Sequence, residues 1–339
     1  MVEDLESNVA KIVQEGKGIL AADESNATIQ KRFNVINLES TENSRRDYRE
    51  MLFRAKDAMQ YISSILLYEE TLYQHAQDGT SFVDLISSSD VLVGIKVDRG
   101  LKSYPLYPKE YITIGLDDLD VRLQKYKDSG ARVAKWRVVL SISDVLPSIA
   151  VVKANMHILA RYAALCQSFG IVPIVEPEVL MDGDHTMERC AEVTEFVLRT
   201  LFNELYTMRV CFEGLLLKSN MILPGKDAIQ VSDEEIATNN IRIFKRVVPC
   251  AVQGIAFLSG GQSEQDATAR LSAMNAIGNH PWKLSFSYGR ALQESALRTW
   301  NGKKENVVIA QSILSHRARM NSLATKGCWQ KYLENNNCK

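Results

Sequence analysis

Eight short runs of apolar and β-branched residues recur along this chain, and their spacing limits the fold more than any other feature. They read GILAAD (18–23), YISSILLYE (61–69), LVGIKVD (92–98), ARVAKWRVVL (131–140), GIVPIVEPEVL (170–180), FEGLLLKSN (212–220), VQGIAFLSGG (252–261) and KLSFSYGR (283–290). Such runs read as strands. Between them lie segments of helical periodicity, such as DYREMLFRAKDAM, NMHILARYAALCQSFG and AEVTEFVLRTLFNELY. Successive runs start roughly 30 to 43 residues apart, about one strand–loop–helix–loop unit. Eight such units predict an α/β protein, a (β/α)8 TIM barrel forming a single domain over residues 1–339. An N-terminal helix, longer loops and a helical segment at SILSHRARMNSLATKG take up the residues beyond the typical length of about 250. Residues 328–339, ending NNNCK, read as a short flexible tail. A doubly wound open sheet is the alternative, but no strand–helix turn carries the GxGxxG fingerprint that would favour it.

Composition excludes several classes. With 339 residues, 46% of them hydrophobic, the chain can bury a large core without disulfides or metals. A formal net charge of −1 gives no footprint for nucleic acid or an anionic membrane. No apolar run reads as long enough to cross a bilayer, and the acidic, amphipathic N-terminus is unlike a signal peptide. The six cysteines show no CxxC and no paired spacing, as expected of reduced thiols. A cytoplasmic protein is the expectation.

In a parallel barrel the active site lies at the C-terminal ends of the strands, so the residues that end each run are informative. The first ends in Asp23, the third in Lys96 and the fourth in Lys135; the fifth carries Glu176 and Glu178, and the sixth ends in Lys218. The seventh and eighth end in SGGQS and SYGR, and only the second, with Glu69 and Glu70, is ambiguous. Side chains two apart share a strand face, which pairs Glu176 with Glu178 and Lys135 with Arg137. If these faces are interior, their charges must neutralise one another, because a lone buried charge is very costly. Salt-bridge packing alone is the bland alternative, but buried ion pairs stabilise weakly and do not account for so many charges in one place.

The turns Ser259-Gly260-Gly261 and Ser287-Tyr288-Gly289-Arg290 both precede helical segments at the barrel positions that commonly hold phosphate. Glycine admits the anion to the backbone, and Arg290 can add a charge-assisted contact. A phosphorylated substrate, several lysines and two carboxylates point to Schiff-base chemistry. An apolar wall and a neighbouring cation, Lys135, favour the neutral, nucleophilic form of Lys218. Glu176 or Glu178 can protonate the departing hydroxyl of the carbinolamine.

The segments GILAADES, GIKVD, AKWR, IVEPE, EGLLLK, FLSGGQS and FSYGRALQ, in order from about residue 16 to about residue 327, closely resemble those of class I fructose-1,6-bisphosphate aldolases. The resemblance implies a (β/α)8 barrel, usually a homotetramer, that cleaves fructose 1,6-bisphosphate to dihydroxyacetone phosphate and glyceraldehyde 3-phosphate without a cofactor or metal. By position, Lys218 is similar to the family's Schiff-base lysine, Glu176 to its principal acid/base, Glu178 to a supporting carboxylate and Lys135 to the cation beside the nucleophile. Asp23 resembles the aspartate that handles the hydroxyl next to the scissile bond. Ser259, Gly260, Gly261, Ser287, Gly289 and Arg290 match one phosphate site; Ser25, Thr28 and Lys96 match the other, and Arg32 and Arg137 match further substrate contacts. Thr28 stands where a serine is common, Ser219 where many members have proline, and the last tyrosine, Tyr332, is not terminal as in animal and plant members. Rival readings are a metal-dependent aldolase, for which only Asp182-Gly183-Asp184-His185 clusters (more in keeping with a loop and helix cap), a Schiff-base lyase of another phosphosugar, and a non-catalytic binding protein.

Overall fold

Strands form where the apolar runs fall: β1 Gly18–Ala22, β2 Ile62–Leu67, β3 Leu92–Lys96, β4 Val133–Leu140, β5 Val172–Val179, β6 Leu216–Ser219, β7 Gly254–Phe257 and β8 Lys283–Tyr288. In the computed structural model, which describes residues 2–335, these strands are all parallel and close into a barrel in sequence order, β8 pairing back onto β1. Closure removes both edges and excludes the open-sheet alternative.

The helices of six or more residues are α1 Val2–Ile12, α2 Asn26–Asn34, α3 Glu42–Phe53, α4 Phe82–Ser87, α5 Leu119–Asp128, α6 Ile149–Ser168, α7 Met187–Thr207, α8 Asp233–Val247, α9 Glu264–Ile277, α10 Arg290–Trp300 and α11 Val307–Thr325. Their starts are encoded locally. Ser25, Thr41, Ser148, Thr186, Ser232 and Ser263 each accept a hydrogen bond from the backbone N–H three residues on. The cap of α7 is thus Thr186, and residues 182–185 form only the loop before it. Among the described residues, no group of three or more His, Cys, Asp and Glu side chains is arranged to hold a metal.

Two apolar layers result. One lies between the outer strand faces and the helices, with Trp136, Tyr162, Phe244 and Phe257 at its centre. The other fills the barrel: Leu5, Val9, Ile12 and Val13 of α1 and the turn after it pack on the inward-facing Ile19, Val133, Val172, Ile174 and Leu216. The N-terminal helix therefore plugs the lower barrel. Pro173 and Pro177 are tolerated in β5 because the ladder to β6 is confined to Ile174 and Val175.

Three findings depart from the sequence reading. An antiparallel hairpin, Leu101–Ser103 with Tyr111–Thr113, interrupts the connection from β3 to α5. Its three-residue strands leave no periodic trace, and tertiary bonds hold it: Thr113 N–H donates to Asn155 at 3.1 Å, and Thr113 Oγ1 to the Arg137 carbonyl at 3.0 Å. One helix, α6, is long and apolar enough by length and composition to cross a membrane. Here it is a crossover helix packed against β5 and α7, and that two-sided burial explains its apolarity.

The third concerns the tail expected over 328–339, of which 336–339 lie outside the described residues. Lys331–Asn335 forms a 3-10 turn. Glu334 accepts from Trp329 Nε1 at 2.9 Å and Arg317 Nη1, and lies 3.2 Å from His316 Nε2. Burial works to raise the Glu334 pKa, but the His316 and Arg317 hydrogen bonds prevail and hold it at about 2. Its contribution is present above its ordinary value and is lost as pH falls toward 2. Glu334→Gln is expected to accelerate tryptic cleavage after Lys331 several-fold at pH 7 with the barrel intact. Unchanged protection would show that other contacts hold the turn.

Candidate active site

The period of two that fills the barrel also builds the site above it. Along β1 the inward positions run Ile19, Ala21 and then Asp23; along β4, Val133, Lys135, Arg137; along β5, Val172, Ile174, Glu176, Glu178; along β6, Leu216, Lys218. Apolar residues form the lower layers and charges the upper ones. Lys135 and Lys218 are each the third residue of their strand rather than its last, and both are 4% exposed. The second strand adds nothing to the cluster. Glu69 and Glu70 fall in a short helical turn, where Glu69 accepts from Tyr126 and Glu70 pairs with Arg45.

Lys135 lies at the centre. Its Nζ is 2.5 Å from Asp23 and 3.3 Å from Glu176, whose other oxygen is 3.0 Å from Lys218 Nζ. Glu176 thus bridges the two lysines. Lys135, expected as the cation beside Lys218, reaches it through this carboxylate. Lys96 Nζ is 2.5 Å from Asp98, and Arg137 Nε is 2.5 Å from Glu178.

Burial opposes the charges on Asp23, Glu176, Lys135 and Arg137, and mutual attraction overrides it. Burial works to raise the Asp23 and Glu176 pKa values, but Lys135, then Lys218, holds both carboxyls below their ordinary range. Burial would lower that of Lys135, yet Asp23 and Glu176 push it well above the usual lysine range. Arg137 is likewise raised, by Glu178 against its own desolvation. Lys135 is therefore a fixed positive charge at neutral pH.

This cluster forms the floor of a cavity of about 560 Å³, on whose walls lie Asp23, Ser25, Thr28, Arg32, Lys96, Lys135, Arg137, Glu176, Glu178, Lys218, Ser259, Gly260, Ser287, Gly289 and Arg290. Gly261 stands just behind: a Cβ there would sit 3.5 Å from an Arg290 guanidinium nitrogen. Gly260 and Gly261 have φ of +58° and +97°, so the turn after β7 needs glycine. Gly289 opens α10 without any side-chain cap, and Ser287 Oγ, also on the wall, has no protein partner among the described residues. Ser25 and Thr28 begin α2, their hydroxyls 3.1 Å apart. The last tyrosine, Tyr332, is exposed and is not part of the cavity wall.

Sequence reasoning missed Asp98 and Glu24. Asp98 accepts from the Gly100 and Arg137 backbone N–H groups as well as from Lys96; its place two residues after Lys96 was a usable signal. Glu24, paired with Arg32 and Arg49, falls out of step with the inward positions Ile19, Ala21 and Asp23, so strand alternation does not point to it. Tyr48 and Gln293 also line the cavity and left no signal in helical segments.

Fold and site together define a class: a barrel lyase that acts on a phosphosugar with lysine and carboxylate side chains. A family model described as fructose-bisphosphate aldolase class-I matches residues 4–339. Fructose-bisphosphate aldolase 1 of Toxoplasma gondii is 51% identical over 330 residues, covering 96% of this chain and 91% of that protein. A probable fructose-bisphosphate aldolase class 1 of Xanthomonas campestris is 46% identical, covering 97% and 99%. The solved structure of the Plasmodium falciparum fructose-bisphosphate aldolase, in complex with TRAP and a small-molecule inhibitor, superposes with a TM-score of 0.96 at 47% identity, covering 97% of this chain and 96% of that one. The chain belongs to the class I fructose-bisphosphate aldolases. It is a metal-independent lyase that reversibly cleaves fructose 1,6-bisphosphate to dihydroxyacetone phosphate and glyceraldehyde 3-phosphate through a lysine Schiff base.

Proposed function

We propose that Lys218 is the Schiff-base lysine of this reaction and Glu176 its acid/base. Among the described residues, Glu176 is the carboxylate that bridges Lys218 to a second lysine, and that contact carries the reading. The amine of Lys218 adds to the substrate ketone. Glu176, 3.0 Å away, first takes a proton from the Lys218 ammonium, freeing the amine, and then returns it to the resulting hydroxyl, which leaves as water to give a protonated imine. Asp23 takes the proton from the hydroxyl on the carbon beyond the scissile bond; the C–C electron pair moves into the imine, and the aldehyde departs. Protonation of the enamine and hydrolysis release the second product and regenerate the amine. Lys135 keeps Asp23 and Glu176 ionised and ready to accept protons, and Glu178 holds Arg137 against the substrate.

The two ends of the cavity bind the two phosphates. Ser259, Gly260, Gly261, Ser287, Gly289 and Arg290 hold one, supported by glycine turns that open to backbone N–H groups and by the uncapped start of α10. Ser25, Thr28 and Lys96 hold the other, while Arg32 and Arg137 make further substrate contacts. No cofactor takes part. The protein works in the cytoplasm as a homotetramer, in one domain; curated relatives include a cytosolic isozyme of Arabidopsis thaliana, 50% identical.

Borohydride reduction in the presence of dihydroxyacetone phosphate is expected to attach one three-carbon phosphate adduct per chain, on the peptide containing Lys218. EDTA is expected to leave turnover unchanged. An adduct on another lysine would reassign the nucleophile, and EDTA sensitivity would contradict the mechanism.

A further inference from the structure

Glu24 directly follows Asp23, yet it takes no part in the lysine cluster. Its carboxylate is 4% exposed and sits between two arginines. One oxygen accepts from Arg32 Nη1; the other is 2.7 Å from Arg49 Nη2. Arg49, on α3, is 3% exposed, lies over the Tyr48 ring at 5.7 Å, and leaves Nε and Nη1 without partners among the described residues. A buried guanidinium needs a compensating charge, and Glu24 is the carboxylate paired with it. Two cations facing one anion leave a single positive charge, on the partner that lines the cavity.

That partner is Arg32. Its Nη2 lies 3.2 Å from where a Cβ on Gly289 would stand, so the guanidinium covers the glycine that opens α10. A Cβ there would require the guanidinium to give by a few tenths of an ångström. The wall here is braced independently: Tyr48 donates to Gln293 Oε1 at 3.0 Å, and Gln293 Nε2 donates to the Ala21 carbonyl at 2.8 Å. Arg32 comes from α2, a different helix from the Gly289-Arg290 turn, and a long arginine side chain has many rotamers to lose. Glu24 is what confines it.

We infer that Glu24 is a positioning residue for the phosphate pole at Gly289 and Arg290: it satisfies Arg49 permanently and holds Arg32 over the pole, so that one anion meets cations from α2 and α10 together. This rests on the reading of that pole as a phosphate site. The ligand class is a phosphate monoester, recognised by two guanidinium groups and the start of a helix.

The test is a kinetic cycle on the full-length enzyme with fructose 1,6-bisphosphate. Glu24→Gln is expected to raise KM about tenfold while kcat stays within about threefold. In an Arg32→Ala background, the same substitution is expected to add less than about twofold, because its effect runs through Arg32. Glu24→Asp should restore part of the loss. Should Glu24→Gln fail to fold because Arg49 is left unpaired, the comparison is Arg49→Met/Glu24→Gln against Arg49→Met, with the same KM rise expected. Arg290→Ala separates the two readings. If it raises KM while Glu24→Gln does not, the phosphate pole stands and the role of Glu24 is wrong. If Arg290→Ala leaves KM unchanged, the pole itself is wrong. Additive effects of Glu24→Gln and Arg32→Ala would reduce Glu24 to a structural ion pair.

Discussion

Lys218→Met is expected to lower kcat by roughly 10⁴-fold or more and to abolish borohydride trapping, with the urea midpoint nearly unchanged. Methionine keeps the unbranched shape of the lysine stem but cannot add to a carbonyl. Lys218 is 4% exposed, among buried Leu216, Leu217 and Ala256, so a thioether suits its surroundings. Glu176, which loses one cation, retains Lys135 at 3.3 Å. Charge compensation therefore survives the substitution and chemistry does not. Activity within about 100-fold of the parent, or an adduct on Lys135, would overturn the assignment.

The second large effect belongs to Lys135, through the charges it holds on Asp23 and Glu176. Lys135→Met is expected to lower kcat by about 10²- to 10³-fold and to destabilise the fold by roughly 3 kcal/mol at neutral pH. Asp23 and Glu176 are buried, and Lys135 is the first influence that keeps them ionised. In the parent their folded pKa values lie below the unfolded ones, so their stabilising contribution is present above the unfolded values and is lost as pH falls through the folded ones. Without Lys135, burial dominates and at least one folded pKa rises above its unfolded value. The variant then carries an uncompensated charge at pH 7 and loses that penalty on protonation. Its deficit in urea midpoint should narrow from pH 7 to pH 5, and its rate profile should shift to higher pH. An equal deficit at both values would mean that Lys135 matters for packing rather than charge.

Much of this site could be read from local pattern. Strand alternation alone puts Lys135 with Arg137 and Glu176 with Glu178 on shared faces, and the structure turns those faces inward above Val133, Val172 and Ile174. Gly260 and Gly261 after β7 were legible because backbone at positive φ restricts residue choice at a single position. Asp98 was within reach of the same alternation. Glu24 was not, since its partners Arg32 and Arg49 lie 8 and 25 residues away on separate helices.

The sequence by itself determined the strand–helix count, the helix starts marked by Ser and Thr, and the set of charged residues that end the strands. All of these depend on interactions within a few residues along the chain, whose periods of two and 3.6 leave a written trace. Tertiary structure alone decided that Glu176 separates the two lysines, that α1 fills the barrel floor, that Lys331–Asn335 is tied to α11 through Glu334, and that the hairpin beside Asn155 forms at all. Those outcomes depend on the stagger between strands some 40 residues apart and on which long side chains meet across the closed barrel. No local pattern specifies such distances, because they exist only once the last strand has paired with the first.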